Sequence, residues 1–286
     1  MDKWYPLDMR GNKEKEQAYD ALHDGVPAHL REYLTRWMRA VLRDHYEREI
    51  RGERLLELER NLRIALDWSR ENHSGLDSVL ELALKKPDLF LSAIDYALQH
   101  WPIEEFVEEL NQALQDGASV WKVHSDRTGY GLIRRMDESV QDAVDRTIAR
   151  SGRAGEHLRN ALIAVYGRNP DASTGYRESV RAVEVASIAV ISPNDKKATL
   201  GTVIGALKAD VTGAKRFKST LGADTKVEPV DVLRQMNELL WTNQIDRHGT
   251  IDENVPLTVS PPEAESAFHL ACTLVHWFTT AKVTKT

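Results

Sequence analysis

Apolar residues recur at every third or fourth position along most of this chain, the period of a helix that buries one face. Leu30, Leu34, Trp37, Met38, Val41 and Leu42 form the first such stripe. Val26-Pro27 opens it, because proline suits a first turn whose N–H has no intrahelical acceptor to lose. Leu55, Leu58, Leu62 and Leu66 predict a second helix over 53–69, broken by Asn72-His73-Ser74-Gly75. Helices over 77–84 and 88–100 follow, separated by Lys85-Lys86-Pro87, and another runs from 102 to 115. Residues 1–25 have no apolar period and read as a polar arm, with Trp4, Tyr5 and Pro6 able to tuck it onto the body.

The period then drops to two. Asp116-Gly117 is a turn, Val120 to His124 alternate, and Asp126-Arg127-Thr128-Gly129 is a hairpin-type turn leading to Tyr130, Leu132 and Ile133. This predicts a β-hairpin over 119–136. Helical spacing resumes over 138–150, 154–166, 174–191, 197–208, 230–241 and 263–280. The 174–191 stretch is almost wholly apolar at its C-terminal end and predicts a central helix. Residues 210–228 show no period, and Lys215, Arg216 and Lys218 make a basic loop there. The fold class expected is mainly α: an N-terminal helical domain over 1–115, a hairpin region over 116–137 and a C-terminal helical bundle over 138–286.

Composition sharpens this picture in three ways. Hydrophobic residues at 42% and charged residues at 29% match a folded soluble chain rather than a disordered one. A net charge of -6 argues against a basic surface broad enough for duplex nucleic acid, while leaving room for a local basic groove. The single cysteine, Cys272, excludes an intrachain disulfide and a thiol-based zinc cluster, and fits a reducing compartment. The N-terminus lacks the apolar run of a signal peptide. No window approaches the roughly 18 apolar residues of a spanning helix. A cytoplasmic protein with no membrane partner is expected.

Four sets of residues carry candidate chemistry. Asn243, Gln244, Asp246, Arg247 and His248 form a polar cluster after one amphipathic helix, ending at Gly249. Arg247 and His248 offer a phosphate-binding or acid/base pair; they equally suit a helix C-terminus, with Gly249 at the left-handed position after it. Arg177 and Arg181 share a helix face, with Glu184 three positions on. That face reads either as a charged pocket opposite His248 or as an Arg181–Glu184 pair on a solvated surface. Lys215 and Arg216 can contact RNA phosphates with Phe217 stacking a base, or belong to an ordinary solvated loop. Glu265, His269, Cys272 and His276 fall on one stripe of the last helix, which reads better as a polar seam than as a zinc site, since adjacent turns supply only part of a tetrahedral shell. Trp4, Trp101 and Trp121 read as packing between domains. No phosphate-binding Walker loop, dinucleotide fingerprint, His-Glu-x-x-His or nucleophile elbow occurs, and no cofactor or metal is expected.

Several short motifs of the second half occur in a recognisable order: Asn169-Pro170-Asp171, Tyr176 to Glu184, Thr199-Leu200-Gly201, Asp246 to Gly249, and the 263–277 helix. This order resembles the C-terminal module of bacterial abortive-infection proteins, which is similar to the HEPN domain, a four-helix bundle of antiphage and toxin ribonucleases. The resemblance implies a phage-defence or toxin-type effector that cleaves RNA without metal, acting as a homodimer. Such nucleases pair an arginine with a histidine about five positions later. The histidine moves the 2'-hydroxyl proton, and the guanidinium holds the scissile phosphate. Here His248 would be the acid/base, with Arg247 and Arg181 on phosphate; Asn243, Arg177, Glu184, Lys215 and Arg216 would bind substrate. Position 243, five before His248, holds Asn rather than Arg. Arg150 with His157, and Arg39 with His45, are further pairs at allowed spacing. The alternative is a non-catalytic interaction or sensor module on the same helical scaffold.

Overall fold

A computed structural model describes residues 4–43, 52–66, 74–126, 129–220, 227–242 and 258–286, with the backbone alone for 74–78, 80 and 126. The chain divides into two compact units, Met1–Arg135 and Met136–Thr286. Among the described residues there are twelve α-helices and two two-stranded antiparallel ribbons. The expectation of a mainly helical chain holds. No helix among the described residues is long and apolar enough to cross a membrane.

The first unit contains α1 (Lys13–Asp20), α2 (Ala28–Leu42), α3 (Gly52–Leu62), α4 (Ser74–Lys85), α5 (Pro87–His100) and α6 (Glu104–Asp116), then β1 (Trp121–Asp126) and β2 (Gly129–Arg134). Helix α5 is its axis, burying Phe90, Leu91, Ile94, Ala97 and Leu98. Around them pack Leu34, Met38 and Leu42 of α2, Leu55 and Leu58 of α3, and Leu110 and Leu114 of α6. The hairpin is part of this unit: Trp121 and Leu132 join its core, and Trp101 packs against it. The first helix escapes sequence reading because no residue on it is buried. Its start is fixed by the Asn12 side chain, which accepts from Lys15 N–H at 3.2 Å, so capping rather than an apolar stripe defines it.

The second unit contains α7 (Glu138–Arg150), α8 (Gly152–Tyr166), α9 (Ala172–Ile191), α10 (Leu200–Ala209), a π-helical turn (Asp210–Ala214), β3 (Phe217–Ser219), α11 (Pro229–Thr242), α12 (Pro261–Thr279) and β4 (Val283–Lys285). Helix α9 is central, with α8 and α12 packed on it, as its apolar C-terminal half predicts. The α8–α9 approach is close: a Cβ at Gly175 would lie 2.6 Å from the Val165 side chain. Helix α12 starts with a capping box between Ser260 and Glu263 and with prolines in its first turn, the sequence signature of a defined N-terminus.

The stretch without a period, 210–228, holds an element the sequence did not announce. The buried Asp210 carboxylate accepts from the backbone N–H of Arg216 and, at 3.2 Å, of Phe217. This turns the chain through Lys215, which takes a left-handed φ of 45°, and delivers Phe217 into the core. Phe217–Ser219 then pairs with Val283–Lys285. Strands of three residues joined across the sequence show no alternation for a reader to detect.

Candidate functional site

The motifs quoted from the second half are in large part structural. Asp171 caps α9, its carboxylate accepting from Thr174 N–H at 2.9 Å and Thr174 hydroxyl at 2.6 Å. Those bonds, the hydroxyl first, hold the Asp171 carboxyl below the usual range. Tyr176 donates its hydroxyl to the Leu240 carbonyl at 3.0 Å, tying α9 to the end of α11. Burial pushes its pKa up to about 12, so it remains a donor at neutral pH. Glu184 accepts from Leu200 N–H at 2.8 Å, satisfying one free donor of the α10 N-terminus. Thr199 completes a capping box with Thr202. Gly201 leaves room for Trp241, whose ring would lie 3.3 Å from a Cβ there.

What these interactions leave over is one buried charged array. Glu178 of α9 is 6% exposed. One of its oxygens lies 2.7 Å from His157 Nδ1 on α8, and the other accepts from Arg181 Nη1 at 2.6 Å. Burial raises the pKa of this carboxyl, but the bonds from His157 and Arg181 and their positive charge outweigh it, and the net direction is down. Glu178 is therefore an anion at neutral pH, and His157 must carry its proton on Nδ1 when neutral, since a carboxylate only accepts. That tautomer leaves Nε2 with a lone pair, the arrangement by which a carboxylate prepares a histidine to take a proton. The Arg181 side chain is 53% exposed, so part of its donor fork is open to solvent.

The lowered pKa of Glu178 has a consequence for stability. The array stabilises the fold at pH values above the ordinary 4.5 of a glutamate, and that stabilisation disappears as pH falls through the lower folded value. Melting temperatures of wild type and Glu178→Gln should therefore converge as the medium is acidified and diverge towards neutrality. A constant gap between them would show that the carboxylate charge contributes nothing.

The expected site residues are distributed as follows. Arg181 is in the array, paired with Glu178 and not with Glu184, which is engaged as a cap. Arg177 donates to Thr174 Oγ1 at 2.9 Å and so belongs to the α9 capping group. Lys215 pairs with Glu228 at 3.2 Å, and the Arg216 guanidinium lies over the Phe217 ring. Phe217 itself is buried, so it is not the base-stacking residue that the basic loop suggested. Asn243, Arg247, His248 and also His45 lie outside the described residues. On α12, Tyr166 donates to Glu265 at 2.9 Å and meets His269 Nε2 at 2.7 Å. With one proton already given to a carboxylate, Tyr166 accepts from His269, which fixes that ring's tautomer. Cys272 is buried, and its thiol is pushed up to about 12; it stays protonated and unreactive at neutral pH. No three His, Cys, Asp or Glu side chains among the described residues are grouped to hold a metal ion.

Sequence reasoning passed over Glu178. It lies inside the Tyr176–Glu184 motif, three residues before Arg181, and that spacing was the available signal. His157 was visible only as the partner of Arg150, from which Ser151 and Gly152 separate it. The structure ends α7 there and starts α8 at Gly152, with φ +52°. No family model matches the chain, and neither a curated protein nor a solved structure matches it.

Proposed function

We propose that the second unit is a HEPN-like domain of a phage-defence or toxin-type effector, and that it cleaves RNA without a metal ion. The observation that carries this reading is the His157–Glu178–Arg181 array. In it, Glu178 orients His157, whose Nε2 removes the proton of a ribose 2'-hydroxyl. The 2'-oxygen attacks the adjacent phosphorus and the bond from phosphorus to the 5'-oxygen breaks. The leaving oxygen takes a proton, and the products are a 2',3'-cyclic phosphate and a 5'-hydroxyl. Arg181 offers its exposed donors to the charged phosphoryl oxygens. The Arg247–His248 pair of the sequence motif belongs to the same proposal as a further phosphate-contacting and proton-transferring pair, with a second copy of the chain as partner.

The experiment is cleavage of a single-stranded RNA in excess chelator, with the ends of the products identified. Wild type should give 2',3'-cyclic phosphate ends. His157→Gln keeps a donor for Glu178 but no titratable nitrogen, and should lose about 10²–10⁴ in rate. His248→Ala, measured beside it, reports whether the second histidine takes part. Full activity of His157→Gln, or activity only with added divalent metal, overturns the reading.

One observation favours a second reading, a non-catalytic interaction or sensor module. Glu178 already compensates both His157 and Arg181, so the array also serves as a pin between α8 and α9. A wild-type chain that never cuts RNA, together with a His157→Gln variant altered only in stability, selects this alternative.

A further inference from the structure

We propose that the groove between α7 and α12 is a binding site for a small organic anion with a flat apolar body, of the aryl carboxylate class. The groove has a volume of about 510 Å³, within the span of roughly 300–1,000 Å³ typical of small-molecule sites. It lies wholly in the second unit and shares no residue with the His157–Glu178–Arg181 array, so it stands independently of the nuclease reading.

Charge is the first argument. Arg146 and Arg150 of α7 line the groove one turn apart, and His269 and His276 of α12 line it two turns apart. No carboxylate among the described residues lines it. In a chain of net charge -6 this is a local reversal of sign that concentrates anions. The two guanidinium groups are also largely uncompensated. Arg146 has only Asp142 at 3.9 Å, with both side chains exposed, a weak pairing. No hydrogen bond or ion pair of the Arg150 or His276 side chain is found among the described residues. Arg150 sits in the last turn of α7, where a cation offsets the helix dipole. That explains the position of Arg150, but not why two arginines share one cleft that no carboxylate among the described residues lines.

The walls supply the second argument. Val140, Ala143 and Trp277 line the groove beside the basic groups, and the buried Cys272 contributes an unionised thiol. Val140 is among the exposed large hydrophobics of the chain. An indole beside guanidinium groups suits a ring bearing an anionic substituent: the ring stacks or packs on Trp277 and the anion meets the arginines. The volume admits one or two fused rings with their substituent.

Isothermal titration of the full chain with 2-naphthoate tests this. One site per chain is expected, with Kd below about 1 mM. The uncharged 2-naphthylmethanol should bind at least about tenfold more weakly. Arg146→Gln with Arg150→Gln should weaken naphthoate by a similar factor, and Ala143→Trp, at an exposed position of α7, should abolish binding by filling the groove; circular dichroism checks that both variants fold. No binding at millimolar concentration, equal binding of the neutral analogue, or binding unaffected by both variants overturns the proposal. Tighter binding of adenosine 5'-monophosphate than of naphthoate overturns the assigned ligand class.

Discussion

Replacing Phe268 with alanine is expected to destabilise the second unit by about 3–5 kcal/mol. Phe268 is 0% exposed, on the face of α12 that packs against α9 and α8. Its ring meets Tyr166 edge to face, with centroids 5.8 Å apart and planes at 69°. The truncation removes that contact, which contributes about 0.5–1.5 kcal/mol beyond area burial. It also leaves a cavity where α12 packs on α9 and α8. Urea unfolding followed by far-ultraviolet circular dichroism measures the effect as a shift of midpoint at constant slope. A loss under about 1 kcal/mol would mean that α12 is not held at the centre of this bundle. Phe268→Leu, which keeps most of the volume, should fall well short of the alanine loss.

The second large effect is expected at Asp95, in the first unit. Its carboxylate is 4% exposed. One oxygen accepts from Leu132 N–H at 2.7 Å and the other from Gln99 at 2.8 Å. The hairpin is thereby fastened to α5 by a buried side-chain acceptor, and a Cβ at Gly131 would come within 3.3 Å of the oxygen that takes the Leu132 N–H. Asp95→Ala removes both bonds and leaves the Leu132 N–H buried without a partner, a loss of about 2–4 kcal/mol when the lost bonds and the orphaned donor are counted together. Asp95→Asn keeps an acceptor for Leu132 and should cost clearly less. Amide hydrogen exchange at Leu132 and its hairpin neighbours gives the local readout: exchange should accelerate in the alanine variant. Unchanged protection there would remove the carboxylate from any role in holding the hairpin.

Much of the fold was legible because the helices that bury a face announce it. The expected 138–150 helix coincides with α7, and those expected over 174–191 and 263–280 differ from α9 and α12 by a turn or less. The same logic explains the omissions. Helix α1 buries nothing, so its pattern is silent. The β3–β4 ribbon joins residues more than sixty positions apart, and nothing in Phe217–Ser219 alone reveals its partner. The candidate site lies at the same limit. Arg181 has a glutamate three residues before it and another three residues after it, and both suit an intrahelical pair. What separates them is the α10 N-terminus, whose Leu200 N–H takes the Glu184 carboxylate. Glu178 is left to bind both Arg181 and, across to α8, His157.

The sequence by itself determined the course of most helices that bury a face, though the one expected over 53–69 ends at Leu62, and it determined that α9 is central and that a hairpin interrupts the helices near position 120. Each of these depends on the spacing of apolar side chains or on turn chemistry within a few residues, which is local information. Only the tertiary structure decided which charges meet. It assigned Glu184 to a helix end, closed the chain around Asp210, seated Phe217 in the core and set His157 against Glu178. Those outcomes depend on hydrogen-bond donors and buried charges brought together from distant positions, where the cost of leaving a polar group unpaired selects the partner.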